Sequence, residues 1–142
     1  MANSTATSES LTVLTRVQPS KAQRADVAFS LPIVQRIRAM DVGHSMAIKE
    51  REVIAVEAVE GTEALIARAG DLCRRGKWAL IVFASQAGRS HAFDASLIDK
   101  LKSAGATCLA IDAALLGAVR DAALLDAAAS QHIAVICFNL SQ

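Results

Sequence analysis

From Trp78 onward the chain alternates unbroken apolar runs with amphipathic ones, and this alternation limits the folds open to it. Trp78–Ala84, Thr107–Ile111 and Ile133–Phe138 are short runs with no polar face, the pattern of strands buried on both sides. Between the first two, Leu97, Ile98 and Leu101 recur at helical spacing and Gly105 provides a stop. Between the second and third lies a helical segment, Asp121–Ser130. The order strand, helix, strand, helix, strand calls for parallel strands joined by right-handed crossovers.

The first half adds other elements to that unit. Residues 1–10 are small, polar and without periodicity, and read as a disordered leader ahead of a domain over 11–142. Leu11–Val17 reads as a short extended segment. Ser20 with Gln23 forms a capping-box pattern, and Val27, Leu31, Val34 and Ile37 make one apolar stripe. Pro32 interrupts that stripe, so the expectation is a break, with Ser30 capping a second helix. Ser45–Ile48 and Val53–Val59 around Lys49-Glu50-Arg51-Glu52 predict a β-hairpin. Thr62 is the expected cap of the next helix and Gly76 its stop. The predicted fold is a three-layer α/β domain with a mostly parallel sheet, a β-hairpin near 45–59 and an N-terminal helical segment.

The totals fit one such domain. A chain of 142 residues buries roughly 70 % of its unfolded surface and needs no metal or disulfide to fold. Fifteen basic against fourteen acidic residues give a net charge of +1, which offers no electrostatic case for nucleic acid or an anionic membrane. Cys73, Cys108 and Cys137 are too far apart for a zinc or redox motif, and no apolar run is long enough to span a bilayer. The expected location is the cytoplasm.

Ligands of open parallel sheets bind beyond the carboxyl ends of the strands. Three places qualify: the Ser85–Asp94 loop, Asp112 and Asn139. Asp94 stands where a loop becomes a helix, which suits an N-cap as well as a carboxylate that holds a divalent cation or orients a water. Glu57 and Glu60 have odd spacing and point apart in a strand unless the chain bends near Gly61. Gly61-Thr62 can present helix N-terminal amides to a phosphate. Asp41-Val42-Gly43-His44 reads as a turn. No P-loop, dinucleotide fingerprint or nucleophile elbow is present.

Taken in order, Leu14-Thr15-Arg16, Pro19-Ser20, Asp26-Val27, Asp41-Val42-Gly43-His44-Ser45, the long string Ala55-Val56-Glu57-Ala58-Val59-Glu60-Gly61-Thr62-Glu63-Ala64-Leu65-Ile66, and Arg68–Cys73 resemble the UDP-2,3-diacylglucosamine diphosphatases of the LpxI type. The resemblance covers about Leu11 to Asn139 and is to the C-terminal domain of that two-domain family. It implies hydrolysis of a UDP-sugar glycolipid to UMP and 2,3-diacylglucosamine 1-phosphate in lipid A synthesis, with Mg²⁺. It places the key aspartate, catalytic and metal-holding, at Asp94. Asp41, Gly43, His44, Glu57, Glu60, Gly61, Thr62 and Asp112 become substrate-binding candidates. The chain departs from the family pattern where lysines and a Lys-Pro-Gly segment are usual: Phe83, Gln86-Ala87-Gly88 and Ala92 stand there. His44 replaces a glutamine, and Ala95-Ser96-Leu97-Ile98-Asp99 replaces a Pro-Thr-Ile-Gly-like run. Three functions remain open: a sugar-nucleotide hydrolase, a non-catalytic binding or regulatory subunit, and a self-associating domain with no ligand. A homodimer or a complex with a separate N-terminal-type domain is the expected assembly, because the face that meets that domain needs a cover.

Overall fold

The computed structural model describes residues 11–74, 76–85, 93–119 and 122–140. The expected leader, the loop residues 86–92 with Arg89 and His91, and Asp121 lie outside the described residues. The elements are β1 (Leu11–Val13), α1 (Lys21–Ala39), β2 (Ser45–Lys49), β3 (Glu52–Val56), α2 (Thr62–Leu72), β4 (Trp78–Val82), α3 (Ala95–Ala104), β5 (Ala106–Asp112), a 3₁₀ turn (Ala113–Leu115), α4 (Leu116–Val119), α5 (Ala122–Ser130) and β6 (Ala134–Phe138).

The strands form one sheet in the order β1-β6-β5-β4-β2-β3. Its centre, β6-β5-β4, is parallel, as the alternation predicts. Antiparallel strands flank it: β1 on β6, and the β2–β3 hairpin on β4. Two residues, Glu50 and Arg51, make the hairpin turn, both with positive φ (53° and 59°), the handedness that matches strand twist. Asp26 on α1 accepts both turn amides, at 3.2 Å from Glu50 and 2.8 Å from Arg51, which holds this otherwise unfavourable turn in place.

Side chains alternate across the sheet into two cores. Trp78, Leu80, Val82, Leu109, Ile111 and Val135 pack with α2, α3 and α5 on one face. Ala79, Ile81, Phe83, Cys108, Ala110 and Ile136 pack with α1 on the other. This is the expected three-layer domain, and period-two alternation between two apolar layers is what makes the central strands apolar throughout.

Several local expectations are corrected. Pro32 does not break α1, which runs through it, while Val27 and Leu31 before it and Val34 after it are all buried on the sheet. Burial of one continuous stripe outweighs the N–H that Pro32 lacks. Ser30 caps nothing; its hydroxyl donates to the Val27 carbonyl inside the helix at 2.6 Å. Thr62 is the first helical residue of α2 rather than its cap, and the cap position is Gly61 at φ 93°. Gly76 does not end α2: the cap is Cys73, and Arg74 takes the left-handed conformation (φ 53°) that stops the helix. The extended segments are also shorter than expected, with β1 ending at Val13 and β3 at Val56.

Candidate functional site at the carboxyl rim of the sheet

β4, β5 and β6 run in one direction, and β2 enters the sheet from the end where they leave it. The register fixes the level: Ser45 lies opposite Val82, Val82 beside Ile111, and Asp112 beside Phe138. One rim therefore gathers His44 and Ser45, the exit of β3 at Glu57, the Phe83–Ser85 exit of β4, Asp112 and Asn139. The starts of α2 and α3 return to the same rim, because each follows a strand that ends there. The Trp78 indole N–H donates to the Ala104 carbonyl at 2.9 Å, which pins the far end of α3 to the opposite edge. Asp94 and Asp112 thus stand at the same end of the sheet.

Glu57 is the most enclosed carboxylate of this rim among the described residues, 2 % exposed. Its Oε1 accepts the Ser45 hydroxyl at 2.6 Å and the Thr62 hydroxyl at 2.9 Å, and its Oε2 lies 3.4 Å from His44 Nε2. The Glu57 amide also donates to the Ser45 carbonyl at 3.0 Å. One carboxylate so ties the start of β2, the exit of β3 and the first turn of α2. The backbone of Gly43 presses on Glu57, in a left-handed conformation (φ 56°). Its neighbour Asp41 is exposed and also left-handed (φ 57°), closing the end of α1 with its amide on the Arg38 carbonyl.

Glu60 does not join Glu57. It is paired with Arg68, which donates to Glu60 Oε2 from Nε at 3.1 Å and from Nη2 at 2.8 Å, and to the Val56 carbonyl at 3.2 Å. The hydrogen bond from Arg68 holds the Glu60 carboxyl below the ordinary glutamate range. The bend after β3 therefore buries Glu57 and turns Glu60 outward.

Asp94 is exposed and caps α3: its Oδ1 accepts Ser96 N at 3.0 Å, Leu97 N at 3.3 Å and the Ser96 hydroxyl at 2.6 Å. The Ser96 hydroxyl, followed by the two amides, keeps its carboxyl below the usual aspartate range. Asp112 is 4 % exposed; its Oδ2 accepts Ala84 N at 3.0 Å and its Oδ1 accepts Ala114 N at 3.0 Å. Asp112 thus ties the exit of β4 to the turn after β5. Sequence reasoning missed one residue here, Arg38, whose Nε donates to the Ala84 carbonyl at 3.0 Å from the last turn of α1. No local motif marks it, since the contact joins residues 46 apart.

Among the described residues no three His, Cys, Asp or Glu side chains cluster closely enough to hold a metal ion. Mg²⁺ often takes only one or two carboxylates, with phosphate oxygens and water completing its octahedron. Asp94 suits that sparse mode, because its cap bonds fall on Oδ1.

The model of the LpxI C-terminal domain matches residues 10–136. The chain belongs to the LpxI C-terminal domain family. A curated relative, the UDP-2,3-diacylglucosamine pyrophosphatase LpxI of Caulobacter vibrioides, is 37 % identical over 59 residues. That match covers 42 % of this chain and 21 % of the relative, so the domain corresponds to only part of the longer protein. None of the helices is long and apolar enough to cross a membrane among the described residues.

Proposed function

We propose that this domain contributes to hydrolysis of the pyrophosphate in a UDP-2,3-diacylglucosamine-type glycolipid, giving UMP and the sugar 1-phosphate. The observation that carries the reading is the family match over 10–136 together with Asp94 at the rim where parallel sheets bind ligands. In the reaction a water oxygen bonds to one phosphorus, the bridging P–O bond breaks, and the two phosphate products carry the released proton.

The low pKa of Asp94 narrows its role. A carboxylate held below the usual range is a weak proton acceptor at neutral pH, whereas it stays charged and can hold a cation or orient a water. Mg²⁺, when bound, supplies charge neutralisation at the phosphate oxygens; Asp94 is the residue that would hold it. Gly43, His44 and Glu57 shape the adjoining wall, and Thr62 sets the open N-terminus of α2 beside it. Glu57 and Asp112 act as braces in this reading, with their oxygens bonded inside the protein.

The rim also exposes Met40 (66 %), Val42 (38 %) and Val59 (98 %). Apolar side chains bordering a polar site support a covering partner, a second copy or an N-terminal-type domain.

The test is UMP release from UDP-2,3-diacylglucosamine with Mg²⁺, comparing the chain with its Asp94→Asn variant. Release that vanishes in the variant supports the hydrolase. No release from either chain, alone or mixed with an N-terminal-type domain, removes this reading and favours a binding subunit.

A further inference from the structure

α1 begins at the far edge of the sheet, where Gln23 Nε2 donates to the Thr107 hydroxyl at 2.8 Å near the start of β5. Nineteen helical residues rise about 28 Å, so its last turn, with Arg36 and Arg38, stands at the carboxyl rim. Cations there complement the helix dipole, a role that needs no particular partner. Arg38 has one: half-buried, it donates through Nε to the Ala84 carbonyl at 3.0 Å. Ala84 is held from its other side as well, its amide on Asp112 Oδ2 at 3.0 Å. The guanidinium is therefore fixed against the strand end that leads toward Asp94.

A guanidinium carries five N–H donors, and the Nε contact uses one. Among the described residues no carboxylate lies within ion-pair distance of Arg38. Arg68, by contrast, turns both Nε and Nη2 onto Glu60. Arg38 thus brings to the rim a guanidinium without a carboxylate partner among the described residues, with the two Nη groups not needed for the tether. A planar fork of this kind matches the oxygens of a phosphate.

We infer that Arg38 binds a phosphate group of a nucleoside diphosphate at the carboxyl rim. The inference rests on the proposed reading for its ligand and goes beyond it in naming the residue. The tether orients the fork, because the Ala84 carbonyl to which Arg38 donates holds the guanidinium at the exit of β4.

The experiment titrates the full chain without metal, by calorimetry or by amide chemical shifts, against UDP, inorganic pyrophosphate and uridine. Wild type, Arg38→Gln and Arg38→Lys are compared, with melting temperature and the KM and kcat of UMP release as companions. The expected result is a loss of about 10- to 100-fold in UDP affinity for Arg38→Gln and a smaller loss for Arg38→Lys, since charge-assisted bonds are worth roughly that much. Uridine binding stays unchanged and KM rises more than kcat falls. Pyrophosphate that follows UDP identifies the phosphates as the recognised group; UDP alone losing affinity still supports the site but makes the nucleotide necessary. Three results would overturn it: equal UDP affinity in both variants and wild type, no binding of UDP or pyrophosphate by wild type, or a parallel loss for uridine, which marks a structural role. Arg38-dependent UDP binding without UMP release leaves the inference standing and removes the hydrolase reading. UMP release with KM untouched by Arg38→Gln does the reverse.

Discussion

A Cβ placed on Gly43 would overlap the carbonyl oxygen of Glu57 and stand 2.7 Å from its carbonyl carbon. Gly43 also sits at φ 56°, where L side chains are strained. The two constraints are independent, so Gly43→Ala is expected to cost at least about 3 kcal/mol. Urea unfolding checks it: a midpoint equal to wild type would contradict the close approach.

Glu57 holds three segments with one carboxylate, and Ser45 beneath it is fully buried. Glu57→Ala strands the Ser45 hydroxyl and is expected to cost about 3 kcal/mol. Thr62→Val removes one of the two hydroxyl bonds and should cost about 1 kcal/mol, while Thr62→Ser, which keeps it, should cost less. Equal losses for the two Thr62 variants, read from denaturant curves, would show that the hydroxyl contributes nothing.

Pro32 lies inside α1 and is exposed. Its missing N–H leaves the carbonyl four residues earlier without a helical donor. Pro32→Ala restores that bond and raises stability, less the gain in unfolded-chain entropy, for a net increase of about 1–2 kcal/mol. A loss of stability would mean that the proline ring makes a packing contribution larger than the restored bond.

The three thiols provide a chemical check on the cores. Burial pushes the Cys108 thiol up to about 12, with Asp26 adding to the effect. Burial likewise raises Cys73 and Cys137. At pH 8 a disulfide reagent should find none of the three in the folded chain and all three in urea. Rapid labelling of Cys108 without denaturant would contradict the packing of α1 on the sheet.

The parallel centre was legible because Trp78–Val82, Ala106–Ile111 and Ala134–Phe138 fill two cores at once and so carry no polar face. The ends of helices were harder to read. Arg74 takes a left-handed conformation that composition assigns to Gly76, and α1 continues through Pro32 because the sheet buries its stripe on both sides of it. For the site, strand direction placed Asp94 and Asp112 at one end, since loops after parallel strands must share it. Spacing left Glu57 and Glu60 ambiguous, because a bend outside the strand decided which was buried. Arg38 had no signal in sequence: a helix-end arginine reads as a dipole partner until its contact with Ala84 is seen.

Asp94 joins structure to chemistry, and acid should separate the two. Its carboxyl is held below its ordinary value of 3.8, first by the Ser96 hydroxyl and then by the amides of Leu97 and Ser96. A folded pKa below the unfolded one means that the ionised carboxylate stabilises the fold above the unfolded pKa. That contribution is lost as pH falls through the lower, folded value. Asp94→Asn keeps a side-chain oxygen able to cap α3 but has nothing to titrate. Wild type should therefore lose melting temperature faster than Asp94→Asn as pH drops below about 4, while the two stay close at pH 7. Asp94→Ala, without a capping oxygen, should be the least stable of the three at pH 7. Parallel melting curves for wild type and Asp94→Asn across the acid range would show that Asp94 is not an ionised cap. A neutral-pH collapse of Asp94→Asn would disqualify that variant as a test of catalysis, because lost UMP release could then reflect lost folding. A stable Asp94→Asn chain that releases no UMP, beside a wild type that does, would assign the negative charge itself to the reaction.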